Sequence, residues 1–346
     1  MQTLTNETTT EDEGNESDVA KSGKGIFLSA ITVATIIGNS LSLLALIVTK
    51  KWNTRYLIVN LATTDLLLGL MVMPFSTISA IKNRWLFNRY LCDAQGSLGF
   101  LLCQVSVLTI TCVSMERYIL FQHASTHFKW MKSNSKLMLW VVIVTWFYGG
   151  MWTFLAWQIP QFSYQRELLN CAVVWRNNFH FTISCGVITM VIPISLILCC
   201  NFRVTIKVRK TLKKINLSRA RSESVAMKRS IAEVKISRML LAVTVAFLLC
   251  WTPYSLAGLS YLISECKWPK QFYVASVISC LLNSAINPVL YGTFDRRCRH
   301  ALAHIFCKRM LRKPTNRTVI RLKGSCCGPT KQRAQQVIQR NKDESI

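Results

Sequence analysis

Charge is scarce in this chain, and over long stretches it is almost absent. Of 346 residues, 17% are charged and 51% are hydrophobic, against roughly 25% charged in a soluble domain. Seven apolar runs contain none of the 42 Lys and Arg and one of the 16 acids, Asp65. That pattern excludes soluble globular, disordered and coiled-coil chains. Cysteine is not concentrated enough for a small disulfide scaffold: 14 residues in 346, many inside the apolar runs. Histidine is rarer still. Of five, only His180 lies in a run, and no nucleophile-plus-base or metal-ligand constellation accompanies it, so the sequence points away from an enzyme. No internal repeat suggests a transporter. Residues 1–25 lack an apolar core, so no cleavable signal peptide is expected and the first run would serve as a signal anchor.

The runs are Ile26–Thr49, Tyr56–Ile81, Ala94–Met115, Leu137–Gln165, Asn177–Phe202, Met239–Ser264 and Gln271–Phe294. Each is long enough for a helix to cross a hydrocarbon core, which takes about 20 residues. Backbone groups in lipid must bond one another, so the runs are expected to be helices. The expected fold is an all-α membrane protein, a seven-transmembrane helix bundle.

Charge sets the expected orientation. Segments 50–55, 116–136, 203–238 and 295–346 hold 33 of the 42 bases, with six acids. The other side holds nine bases and nine acids. The positive-inside rule puts the basic set in the cytoplasm, with the N-terminus outside and the C-terminus inside. Bases beside membrane spans serve topology and anionic lipid rather than nucleic acid. The outer tail carries two sequons, Asn6-Glu7-Thr8 and Asn15-Glu16-Ser17, so Asn6 and Asn15 are expected to be glycosylated. In that oxidising compartment Cys92 and Cys171 are expected to pair, leaving Cys266 over. Cytoplasmic cysteines near bases, Cys307 among them, are candidates for palmitoylation.

Polar residues inside the spans each need a partner. Asp65 has candidates in Asn39, Ser106, Asn283, Ser284 and Asn287, all about mid-span. Together they would form an oxygen-rich pocket suited to Na⁺, to a water network, or to hydrogen-bonded packing alone. Glu116-Arg117-Tyr118 closes the third run. Arg117 can lock onto Glu116 or reach Glu233 at the start of the sixth span. Pro193, Pro253 and Pro288 interrupt three spans and predict kinks.

Taken in order, these residues form a known pattern. Gly38-Asn39, Leu61-Ala62-Thr63-Thr64-Asp65, then Cys92, Ser106 and Glu116-Arg117-Tyr118 on the third span, Trp146, Pro193, Phe247 with Cys250-Trp251-Thr252-Pro253, and Asn283-Ser284 with Asn287-Pro288-Val289-Leu290-Tyr291 follow one another in order along the seven spans. The chain resembles the rhodopsin-like (class A) G-protein-coupled receptors, over roughly residues 26–307. The resemblance implies an allosteric sodium site at Asp65, Ser106, Asn283, Ser284 and Asn287, and no other cofactor. It implies a switch at Trp251, with Val107, Pro193 and Phe247 as its connector. It implies G-protein coupling through Glu116, Arg117, Tyr118 and Tyr291, with Glu233 restraining Arg117 at rest. Arrestin and receptor kinases are implied as further partners, and the plasma membrane as the location. Residues 295–307 would form a short cytoplasmic eighth helix with Cys307 as its acyl site, and 308–346 a basic tail.

Within that family the flavour is that of biogenic-amine receptors, histamine and muscarinic. Arg84-Trp85-Leu86-Phe87, Phe100-Leu101-Leu102-Cys103 and Leu155-Ala156-Trp157 carry it, and an inhibitory G protein is expected by analogy. Such receptors hold the ligand ammonium with an Asp in the third span, eighteen residues before the Arg. Here that position is Gly99. Ile278 and Leu281 stand where amine pockets hold Trp and Tyr, Asn201 where the fifth span carries Tyr, and Ala124 where the second inner loop carries Pro. The expected ligand contacts are Gly99, Phe100, Cys103, Gln104, Thr182, Trp251, Tyr254 and Ser255, and a neutral or anionic ligand stays open beside an amine. The seventh run has no Lys, which excludes a retinal Schiff base. The alternative to a ligand-activated receptor is an amine-insensitive orphan that signals constitutively or serves as a partner subunit.

Overall fold

The computed structural model describes residues 18–48, 55–122, 136–166, 168–218, 225–260, 268–294 and 303. Among them, seven helical stretches are long and apolar enough to cross a membrane. The first is α1 (Asp18–Val48). The second is split into α2 (Arg55–Met71) and α3 (Met73–Lys82). The third is α4 (Arg89–Gln122) and the fourth α5 (Leu137–Gln158). The fifth runs from α6 (Phe179–Gly186) through a π turn (Val187–Val191) into α7 (Ile192–Ser218). The sixth is α8 (Val225–Ser260) and the seventh α9 (Lys270–Phe294). The third span packs against the second, fourth, fifth and sixth; the first lies on the second and seventh.

Polarity is distributed inside out. Phe147, Leu249 and Ile26 are each about seven-tenths exposed, at 76%, 69% and 72%, whereas Asn39, Thr109 and Asn287 are fully buried. Apolar side chains face where lipid lies and polar ones face each other. Many span hydroxyls bond their own helix one turn back, as Thr111 and Thr244 do. Others join spans. Trp146 Nε1 donates to Asn60 Oδ1 (2.8 Å), and Asn60 Nδ2 donates to Thr109 Oγ1 (2.7 Å), which ties the second, third and fourth spans together.

Several boundaries differ from the sequence reading. The first helix begins at Asp18 rather than Ile26. The third continues to Gln122, so Glu116-Arg117-Tyr118 sits within it and not at its end. The fourth run was expected to span through Gln165, but its helix stops at Gln158. Pro160 cannot continue a hydrogen-bonded helix, and Gln161 takes a left-handed φ of 63°. Residues Phe162–Gln165 then form strand β1, paired antiparallel with β2 (Asn170–Val173), Phe162 opposite Val173. The second span, expected unbroken, bends at Val72 ahead of Pro74. The Val72 carbonyl accepts from Ser76 N–H (3.3 Å) and also from Ser76 Oγ (3.2 Å) and Gln95 Nε2 (3.4 Å). In the fifth span Pro193 follows a π turn, in which Ile192 N–H reaches the carbonyl of Val187. The extra residue absorbs the donor that proline lacks.

Candidate functional site: a cavity from the hairpin to Asp65

The hairpin is held onto the third span at three places. Cys92 and Cys171 form a disulfide with a Cα–Cα distance of 5.4 Å. Gln95, buried beside it, accepts from Cys171 N–H (3.2 Å) and donates to Asn170 Oδ1 and to Ser76 Oγ (3.0 Å). Gly96 lets the strand come close: a Cβ there would lie 3.0 Å from the Phe162 ring and 3.2 Å from the Cys171 carbonyl oxygen.

Under the hairpin lies a cavity of about 560 Å³. It begins at Leu168 and Asn170–Val173 and reaches Thr64, Asp65, Ser106, Asn283 and Ser284. All eight residues expected to meet a ligand line it: Gly99, Phe100, Cys103, Gln104, Thr182, Trp251, Tyr254 and Ser255. Its walls are mostly apolar, and among the described lining residues Asp65 is the one Asp or Glu. Among the described residues no Lys, Arg or His lines it. Gly99 leaves open space, with Val72 Cγ1 3.5 Å from where a Cβ would stand.

Not every polar wall group is available. Thr182 Oγ1 already donates to the carbonyls of Trp175 (2.6 Å) and Asn178 (2.9 Å), and Ser255 Oγ to that of Trp251 (3.0 Å). Three buried atoms are uncommitted among the described residues: Gln104 Oε1, Trp251 Nε1 and Asn283 Oδ1. Gln104 is otherwise held by Nε2 donating to Thr189 Oγ1 (3.3 Å) in the π turn. Sequence reasoning missed Thr189, Leu168 and Asn170. Nothing in a single sequence marks a π turn or folds the loop back over the bundle.

At the foot of the cavity Asp65 is buried. Ser284 Oγ donates to Asp65 Oδ1 (2.7 Å) and Asn287 Nδ2 to Oδ2 (2.8 Å). Asn39 Nδ2 donates to the carbonyls of Thr35 (2.9 Å) and Ser284 (3.0 Å), which seats the first span on the seventh. Ser106 Oγ pairs with Thr64 Oγ1 (3.1 Å) rather than with Asp65 directly. Asn283 is not among these donors to the carboxylate, and its Oδ1 has no partner among the described residues. The donor set is oxygen-rich and suits a hard cation.

Trp251 joins the cavity to the core beyond. Its ring centroid is 5.6 Å from that of Phe247 and 5.9 Å from that of Tyr254. Val107, Phe247, Trp251 and Tyr291 share one buried cluster that runs on to Val113 and Met239. Past that cluster, Arg117 Nη2 lies 2.8 Å from Glu116 Oε2, both side chains 5% exposed. Arg117 Nε also donates to Glu116 Oε2 (2.9 Å). Tyr118 packs against Val204, Val208 and Val234 of the fifth and sixth spans. Asn201 donates to Ser114 Oγ (3.2 Å), bonding the third span from the position expected to differ. The side chain of Glu233, and residues Asn6, Asn15, Ala124, Cys266 and Cys307, lie outside the described residues, as does the expected eighth helix apart from Ala303.

Residues 38–291 match the model of the 7 transmembrane receptor (rhodopsin family). The chain belongs to that family. This receptor is 28% identical to the human histamine H2 receptor over 316 residues, covering 89% of this chain and 86% of the relative. It is 26% identical to the human 5-hydroxytryptamine receptor 4, covering 81% and 78%. Its fold is similar to that of squid rhodopsin, with a TM-score of 0.70 at 19% identity over 85% of this chain and 87% of that one. The relatives are receptors, not enzymes, and the receptor is a multi-pass membrane protein of a family that signals through G proteins.

Proposed function

We propose that this receptor holds a small ligand in the cavity between the hairpin and Asp65, and passes its binding to a heterotrimeric G protein by outward movement of the sixth span. One observation carries the reading: Trp251 lines the cavity and stacks on Phe247, in the cluster that leads toward Arg117. A ligand pressing on Trp251 acts on the sixth span next to Pro253, where the helix lacks one hydrogen bond. It favours whichever state it binds better, and that difference is the whole driving force. Release of Arg117 from Glu116 then exposes a cation to the G protein. Na⁺ bound by Asp65, Ser106, Asn283 and Ser284 would hold the resting state. The basic segments support a coupling face in the cytoplasm and an N-terminal tail outside. The histamine and 5-hydroxytryptamine relatives favour an amine-class ligand, and Gly99 in place of the third-span acid sets this receptor apart from the usual amine anchor. That same residue supports a second reading, an amine-insensitive receptor active without ligand.

The test is G-protein activation at matched surface expression, without ligand and with an amine panel, for the wild type, Arg117→Ala and Gly99→Asp. Pertussis-toxin sensitivity reports whether the Gα class is inhibitory. Ligand-responsive signal lost in Arg117→Ala is the expected result, and full signalling by that variant overturns the coupling assignment. High activity without ligand that no amine changes moves the second reading into first place.

A further inference from the structure

We propose that the counter-ion for a cationic ligand has moved from the third span to Asp65, so that the receptor takes a long amphiphilic amine or guanidinium whose charged head lies at the foot of the cavity. This rests on the reading of the cavity as the ligand site and adds the class of ligand and the residue that holds it.

The cavity is continuous from the hairpin to Asp65, and among the described residues no other Asp or Glu lines it. At Gly99 there is no side chain to stop a ligand short. Asp65 accepts from Ser284 on one oxygen and from Asn287 on the other. A carboxylate has about four acceptor sites, so each oxygen retains capacity. Asn283 lines the same cavity, and its Oδ1 is buried and has no partner among the described residues. Gln104 Oε1, higher in the wall, is in the same position. A buried acceptor without a donor costs free energy. An ammonium or guanidinium supplies donors and a positive charge together, and meets Asp65 and Asn283 at once. The apolar walls between the hairpin and the foot favour an alkyl or aryl body. Na⁺ would occupy the same acceptors, so cation and ligand exclude each other.

The experiment is a thermal shift of the purified full-length receptor by intrinsic fluorescence. The probes are phenylalkylamines of increasing chain length, from phenethylamine to phenyloctylamine, with the matching phenylalkanols as uncharged controls. Half-saturating concentration should fall with length by about two- to fourfold per methylene until the head reaches Asp65. Replacing potassium chloride by sodium chloride at equal ionic strength should raise it for the long amines and leave the alcohols unchanged. Asp65→Asn should weaken the long amines roughly 30-fold or more, and Gly99→Asp should move the preferred length to the short end. If Asp65→Asn fails to fold, the sodium competition in the wild type decides alone. Long amines that bind equally well in sodium and potassium, or no better than the alcohols, overturn the proposal. If short amines bind the wild type best and ignore Asp65→Asn, the amine reading of the cavity stands and the anchor assignment fails. No shift by any amine in the wild type, with a shift in Gly99→Asp, overturns this inference and favours the amine-insensitive receptor.

Discussion

Gly96 and Gly38 are small because backbone and proline need their space. At Gly96 a methyl group would stand 3.0 Å from Phe162 Cδ1, and at Gly38 2.8 Å from Pro288 Cγ. The Phe162 ring is fully buried and cannot swing away. Gly96→Ala is therefore expected to destabilise the receptor by about 1–3 kcal/mol through overpacking, read as a lower Tm. Gly186→Ala, where a Cβ meets nothing within 4 Å, should leave the Tm close to wild type. At this scale the sequence was most legible where a residue contradicted its surroundings. Asp65, Asn39, Ser284 and Asn287 stood out as polar groups in hydrocarbon, and three of them meet in direct bonds to the carboxylate or beside it. Ser106 was harder to place, because a hydroxyl can satisfy itself on a neighbour, and here it chose Thr64.

Elements were legible as lengths of apolar chain but not at their interruptions. Seven runs became seven spans because nothing in lipid competes with helix formation. Pro74, Pro160 and the π turn before Pro193 fell inside runs of uniform composition, and composition does not say how a helix accommodates a missing donor. The hairpin was invisible for the opposite reason. Phe162–Gln165 reads as an apolar continuation of the fourth span, and only pairing with Asn170–Val173 makes it a strand. The disulfide holds that pair on the third span across 79 residues of sequence. Cys171→Ser is expected to cost about 2–4 kcal/mol of stability. Because Gln95 still bonds Cys171 N–H, the hairpin should stay near its place. A wild-type Tm that falls on reduction to the level of the variant checks this.

At the scale of the whole molecule, the proposed ligand cavity and the proposed coupling residues lie toward two ends of one buried cluster, and on that proposal a change at either end should be felt at the other. The Glu116–Arg117 pair, shielded from water, is a stronger constraint than a surface pair. Glu116→Gln keeps the shape and removes the charge. Basal G-protein activation should rise by several-fold, corresponding to about 1 kcal/mol of bias between two states. An unchanged basal rate at equal surface expression would show that other contacts hold the resting state.

Asp65 also has a history within each molecule's synthesis. Its partner Ser284 lies 219 residues further along the chain. At common translation rates those residues take on the order of 10–40 seconds to emerge. Throughout that interval the second span carries a carboxyl group into the bilayer while the hydroxyl and amide that will satisfy it have not been made. The nascent second span must therefore be sheltered by the insertion machinery, or by the neighbouring early spans, until the seventh arrives. A chain truncated before Ser284 should be retained and degraded at its site of synthesis, and Asp65→Asn should relieve part of that retention.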